Sequence, residues 1–96
     1  MKKEIDEERL KKEFEVTGSA LKKVRIAVPE NSHLRKAAED FLDMAKRYFS
    51  DAKHFMQKGD IASAFGALNY AHAWLDAGAR LGLFEVDRKS GLFVVD

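Results

Sequence analysis

The sequence has no cysteine and a single proline among its 96 residues. Without cysteine, a disulfide framework and a thiolate metal site are both excluded. No apolar run approaches the roughly 20 residues of a membrane-spanning helix. The first ten residues, MKKEIDEERL, lack the apolar stretch of a signal peptide. We therefore expect a cytoplasmic protein that contacts no membrane.

The sequence also lacks a large excess of positive or negative charge. Seventeen basic and sixteen acidic residues leave a net charge of +1, which argues against strong attraction to nucleic acid or acidic membranes. The length suits one domain, which we place at residues 1–96. Many Glu and Lys residues with one Pro favour a helical protein.

Apolar residues recur at helical spacing in three segments. The first predicted helix, at about residues 4–28, carries a heptad stripe with one polar member and ends before the proline. The second covers about residues 32–58 and the third about 61–81. Gly59 and Asp60 join them as a C-terminal and an N-terminal cap. A link this short requires the two helices to run antiparallel.

Two β-rich runs, LFEV and LFVV, follow the third helix and are separated by a polar turn that ends in glycine. This pattern predicts a β-hairpin at about residues 83–95. A lone two-stranded hairpin is marginal in water, so we expect it to pack on the helices. The predicted fold is mainly α: an antiparallel three-helix bundle with a short C-terminal β-hairpin.

The third predicted helix is nearly uncharged. Asp76 and Arg80 are its only charged residues, although 34% of the chain is charged. A helix that is apolar or small nearly all round needs neighbours on most sides. Either another chain or the C-terminal tail covers this helix, or its small residues are simply exposed. Its outer side carries Ala62, Gly66, Asn69, Ala73, Ala77 and Arg80.

One flank of the third helix carries large side chains that suit an interface. Tyr and Trp combine apolar area with a polar tip and are enriched where interfaces bind tightly. The alternative is that the hairpin or the first helix covers this flank within the chain. We predict association with a second copy or a protein partner. The predicted interface residues are Tyr70, Ala73, Trp74, Ala77 and Leu81.

The segment ALNYAHAWLDAGARLGLFEV, residues 67–86, resembles the signature of a small archaeal family catalogued as domain of unknown function 357. The run from Ala38 to Asp60 is similar as well, so the resemblance covers about the last two thirds of the chain. It implies a compact helical domain, and it implies no reaction, cofactor or partner. The matching motif elements are Tyr70-Ala71, Leu75-Asp76-Ala77 and Leu81-Gly82.

Four charged residues form a candidate polar cluster, namely Asp43, Arg47, Asp76 and Arg80. In two antiparallel helices joined at residue 59, two residues lie at the same height along the helices when their numbers sum to about 119. Asp76 therefore lies opposite Asp43. We expect Asp76 to pair with Arg80 or Arg47, because partly buried charges need partners. The alternative is a polar hot spot at an interface. Neighbouring arginines would keep both carboxylates ionised, so we predict no catalytic residue here.

Two histidines lie at helical spacing from aspartates, and such pairs can bind metals. These are Asp51 with His54 and His72 with Asp76. The two pairs would lie about 10 Å apart in height, so we predict neither a metal site nor a cofactor. We expect His72 to be a partly buried neutral histidine with one hydrogen bond, with a functional imidazole as the alternative.

An alternative function is an RNA-binding or nuclease-like helical domain. Arg47 and His54 form an Arg-x6-His pattern similar to the Arg-x4–6-His motif of helical nucleases in toxin systems. Lys22, Lys23 and Arg25 form a small basic patch that could contact phosphates. Both features also suit an ordinary solvated face. We favour a non-catalytic helical interaction module that self-associates or binds a protein partner through its third helix, and leave enzymatic activity open.

Overall fold

The computed structural model describes residues 6–93. It confirms the predicted fold class, because three helices pack as a bundle beside a two-stranded antiparallel sheet. Helix α3 is central and packs against both other helices. The elements in chain order are α1 (Glu7–Lys23), β1 (Arg25–Ile26), α2 (Arg35–Gln57), α3 (Ile61–Arg80), β2 (Phe84–Glu85) and a one-turn 3₁₀ helix (Arg88–Ser90).

Helix α1 is shorter than its apolar stripe predicts. Asp6 caps its first turn by accepting a hydrogen bond from the backbone N–H of Arg9 at 2.8 Å. The helix ends at Lys23 rather than near residue 28, and Val24 has extended backbone angles. The predicted end was wrong because the next residues pair with β2 instead. Apolar residues at positions 24 and 28 fit both a helical stripe and a packed extended segment.

The two-stranded antiparallel sheet joins distant parts of the chain. The run at residues 83–86 supplies β2 as expected, and Arg25 lies opposite Glu85 in β1. The partner strand described for β2 is thus β1, and residues 94 and 95 of the expected second strand at 92–95 lie outside the described part. The intervening turn forms a 3₁₀ helix capped by the Asp87 side chain, which accepts from Lys89 N at 2.9 Å. The chain then places Phe93 in the core.

The link between α2 and α3 has the predicted geometry. Gly59 adopts φ +79°, a left-handed conformation that glycine reaches without strain. The Asp60 side chain then accepts a hydrogen bond from the backbone N–H of Ser63 at 3.1 Å. These two caps close one helix and open the next within two residues. Helices α2 and α3 consequently pack antiparallel along their length.

Two apolar clusters hold the bundle together, one at each end. The cluster near the α2–α3 turn includes Leu10 and Leu68, and the cluster near the sheet includes Leu75, Phe84 and Phe93. Many other buried positions on the facing helices are alanines. Small side chains at these positions let the helices approach closely. Helix α3 contributes to both clusters, which leaves one of its sides facing away from the core.

Candidate functional site

The side of α3 that faces away from the bundle is open to solvent. We call it the outward face, and among residues 6–93 nothing buries it. The six positions that the sequence predicts on the outer side are all exposed. Tyr70 and Leu81 lie beside them and are 49% and 67% exposed. Arg80 is its one charged residue. The outward face comprises Ala62, Gly66, Asn69, Tyr70, Ala73, Ala77, Arg80 and Leu81.

Gly66, Ala73 and Arg80 form a straight row along the outward face. They are spaced by seven residues, which returns almost to the same side of a helix and advances about 10.5 Å per step. A methyl group added at Gly66 would meet no atom within 4 Å, so the space above it is empty. A glycine inside a helix costs roughly 0.5–1 kcal/mol relative to alanine. No contact within the described chain accounts for this glycine.

A groove runs between α2 and α3 beside this glycine. We call it the Gly66 groove; its volume is about 530 Å³. One end is formed by the rings of Tyr48 and Tyr70, whose centroids lie 4.4 Å apart in an edge-to-face arrangement. Of the described residues that line it, Asp51, exposed on α2, is the one that carries a charge. The groove is lined by Tyr48, Asp51, Phe55, Ser63, Gly66, Ala67 and Tyr70.

Trp74 lies at the edge of the outward face and is only partly exposed. Its ring packs edge-on against Phe41 of α2, with centroids 4.9 Å apart, and against Tyr70 at 6.2 Å. Helix α2 provides the first of these ring contacts, and the second lies within α3. The buried Nε1 of Trp74 has no hydrogen-bond partner in the part of the chain described. The Trp74 ring thus packs beside the Tyr70 ring and helps to hold it in place.

The four members of the candidate polar cluster lie in different surroundings. Asp43 and Arg47 form an ion pair on α2 with Oδ2 and Nε 2.8 Å apart, and both side chains are more than half exposed. An exposed pair of this kind contributes little to stability. Asp76 lies on the α1 side of α3, where its Oδ1 is 3.6 Å from His72 Nε2. Arg80 is on the outward face.

His72 connects three segments of the chain, and we call this arrangement the His72 junction. Its Nδ1 lies 3.3 Å from the hydroxyl of Thr17 on α1, and its Nε2 lies 2.6 Å from the carbonyl oxygen of Leu92. In the neutral form, Nε2–H donates to the carbonyl while Nδ1 accepts from the hydroxyl. The histidine is partly buried as expected, with two hydrogen bonds rather than one.

The His72 junction has the residue types of a nucleophile–base–carboxylate triad, but its geometry is structural. The Thr17 side chain is fully buried and cannot reach a substrate. Nε2 is bonded to the main chain at Leu92. The pairing of Thr17 with His72 was not predicted, although the one polar member of the heptad stripe in the first predicted helix is Thr17. A polar residue inside an apolar stripe predicts a buried hydrogen bond.

The residues of the RNA-directed alternative are exposed but separate. Arg47 is already paired with Asp43, and His54 lies two turns further along α2. Lys22, Lys23 and Arg25 are exposed at the end of α1 and in β1.

The described residues hold no group of three His, Asp or Glu side chains placed to bind a metal ion. Hydrogen bonds from the hydroxyl and backbone N–H of Ser63 lower the pKa of the Asp60 carboxyl, which reflects its capping role. Among the helices of residues 6–93, none is long and apolar enough to cross a membrane.

Comparison with known proteins finds one family. The model described as a protein of unknown function (DUF357) matches residues 14–84, from the middle of α1 to the first residue of β2. No curated protein and no solved structure matches the chain. The match confirms the resemblance carried by residues 67–86.

Proposed function

Because the chain belongs to the DUF357 family of proteins of unknown function, we propose a function from its own geometry: a non-catalytic interaction module that self-associates through the outward face of α3. The observation that carries this proposal is the composition of that face. Eight exposed positions include a single charge, Arg80. A cytoplasmic location stays a prediction from the sequence, and an archaeal source stays an implication of the family resemblance.

The outward face suits contact with another helix. Its small residues let a second helix approach closely, and its i, i+4 rows, such as Asn69–Ala73–Ala77, provide ridges and grooves for packing. Tyr70 and Leu81 flank these rows and supply the larger apolar area that interface cores use.

A second copy of the chain is a suitable occupant. A two-fold dimer brings the same patch of each copy together, so a small, nearly uncharged face is complementary to itself. The net charge of +1 gives two copies little mutual repulsion. One helix pair buries less area than a standard interface of about 1,200–2,000 Å². We therefore expect a dimer that dissociates readily, with a dissociation constant of roughly 10 µM to 1 mM.

The test is the molecular mass as a function of concentration, measured by sedimentation equilibrium or light scattering. We expect the mean mass to rise toward two chains between about 10 µM and 2 mM. Ala73→Glu places a charge in the middle of the outward face and should abolish the rise while the helical circular dichroism is retained.

The matched control is Ser50→Glu, which adds the same charge at an exposed position of α2. Position 50 points away from α3, because it is two residues, or about 200°, from the buried Ala52. This variant should associate like the wild type. A mass of one chain at every concentration would refute self-association, and equal loss in both variants would attribute the effect to net charge rather than to the outward face.

A further inference from the structure

The outward face carries a positive charge, and the wall of the Gly66 groove carries a negative charge. Arg80 and Gly66 lie at equal distances from Ala73 along α3. Arg80 is the charged residue of the outward face, and Asp51 is the charged residue of the groove wall. Along α3, Gly66 and Arg80 are each seven residues from Ala73, so each lies about 10.5 Å from it along the axis. A two-fold axis beside Ala73 therefore brings Arg80 of one copy level with Gly66 of the other.

From this register we propose that the dimer is an antiparallel α3–α3 pair in which Arg80 and Leu81 of each copy enter the Gly66 groove of the other, with Arg80 paired to Asp51. This inference rests on the proposed function and specifies the register and the contact residues of the pair of copies. The two-fold axis keeps the α2 side of each helix on the same side of the dimer. Leu81 and the groove both lie on that α2 side, so the side chain and its receiving space meet. Arg80 is turned about 40° from the line of Gly66 toward the α1 side, and its long side chain would reach the groove by crossing the open space above Gly66.

The empty space above Gly66 supports the same arrangement. The other buried or helical glycines differ from it: a methyl group at Gly78 would collide with Phe84, and one at Gly18 would press on Phe49 at 3.3 Å. Those two glycines are explained by contacts within the chain, whereas Gly66 is not. An incoming Arg80 side chain and its neighbour Leu81, which is 67% exposed, would fill the space that Gly66 leaves.

A charge-exchange experiment tests the proposed contact. Arg80→Glu and Asp51→Arg each place like charges opposite one another, and each change occurs twice in a two-fold dimer. We expect either substitution to raise the dimer dissociation constant about tenfold or more. The double variant restores opposite charges in exchanged positions, and its dissociation constant should return to within about threefold of the wild type. Circular dichroism of each variant checks that these exposed substitutions leave the helices intact.

Gly66→Gln gives an independent measurement, because a longer uncharged side chain would occupy the groove. We expect it to weaken the dimer about tenfold or more and to leave the unfolding temperature of the isolated chain at or above that of the wild type. A wild-type dimer whose dissociation constant does not respond to the two charge reversals, or is not recovered in the double variant, overturns this register and leaves the proposed function standing. A wild-type chain that stays monomeric overturns the proposed function itself.

Discussion

Gly78 is the position where one added methyl group should do most damage to the fold. It is buried on α3, and the ring of Phe84 lies directly against its backbone. A methyl group there would be 3.0 Å from Cζ of the ring and closer still to Cδ2 and Cε2. Such distances require the ring or the backbone to move. We therefore predict that Gly78→Ala destabilises the protein, although alanine is the better helix former.

The expected magnitude follows from two opposing contributions. Alanine in a helix interior gains roughly 1 kcal/mol over glycine. Overpacking a well-filled core costs typically about 1–3 kcal/mol, and this ring cannot easily move, because Phe84 is 4% exposed and packs in the cluster with Leu83 and Phe93. Since Phe84 also begins β2, a shifted ring disturbs its pairing with Ile26. Because the ring is held in place, we expect the overpacking cost in the upper part of that range, at about 2–3 kcal/mol. The net loss is then about 1–2 kcal/mol, or a fall in Tm of roughly 5–15 °C.

The same substitution at Gly66 provides the control on the same helix. The space there is open, so Gly66→Ala should keep the full helix-propensity gain of up to about 1 kcal/mol. Thermal and urea unfolding followed by circular dichroism, at a concentration where the chain is monomeric, measure both variants. Replacing Phe84 by the smaller leucine in the Gly78→Ala background should recover part of the loss. A Gly78→Ala variant as stable as the wild type would show that Phe84 does not pack on α3 in this way.

Three further outcomes follow from the structure. Thr17→Val removes the hydroxyl that bonds His72 and should lower the free energy of unfolding in urea by about 1–2 kcal/mol; an unchanged value would contradict the His72 junction. Asp60→Ala should be less stable than the wild type at pH 7, and the difference should shrink at acid pH. The reason is that a carboxyl whose folded pKa is lowered by Ser63 stabilises the fold above its unfolded pKa of about 3.9 and ceases to do so as pH falls through the folded pKa. The Asp60→Asn variant, which caps without titrating, should show no such acid dependence. Single-stranded RNA should show no binding at low salt; binding that weakens steeply with salt and is lost in Arg47→Ala would favour the RNA-directed alternative.

Local sequence was sufficient to predict the features that depend on neighbouring residues. The turn at Gly59 and Asp60 and the outer side of α3 follow from capping preferences and from a helical repeat of 3.6 residues. The end of α1 could not be predicted in this way, because β1 pairs Arg25 with Glu85, sixty residues away. The same limit applies to the His72 junction, whose two partners are 55 and 20 residues distant.

In the candidate site, too, some features could be predicted from neighbouring residues, whereas others depend on residues that are distant in the sequence. The exposed positions of the outward face were predictable from the charge and size of their side chains. The Gly66 groove was not, because it needs the lateral position of α2, which brings Asp51 and Tyr48 beside α3. A glycine in the middle of a predicted helix was the one local signal for it, since such a residue is unfavourable unless a contact requires it.

The two flanks of α3 differ in what borders them, and we expect the proposed partner to bind on the α2 flank. On the α1 flank, His72 is bonded to a buried hydroxyl and to the carbonyl of Leu92, and a groove of about 370 Å³ that includes His72 is bordered by α1 and by the segment around Leu92. On the α2 flank, Tyr70 is half exposed and borders an open groove. We therefore expect substitutions on the two flanks to separate stability from association. Thr17→Val should lower stability and leave the dissociation constant of the dimer unchanged, whereas Tyr70→Ala should raise that constant with a smaller effect on unfolding. The opposite pattern would place the partner on the α1 flank and would require the segment around Leu92 to move aside.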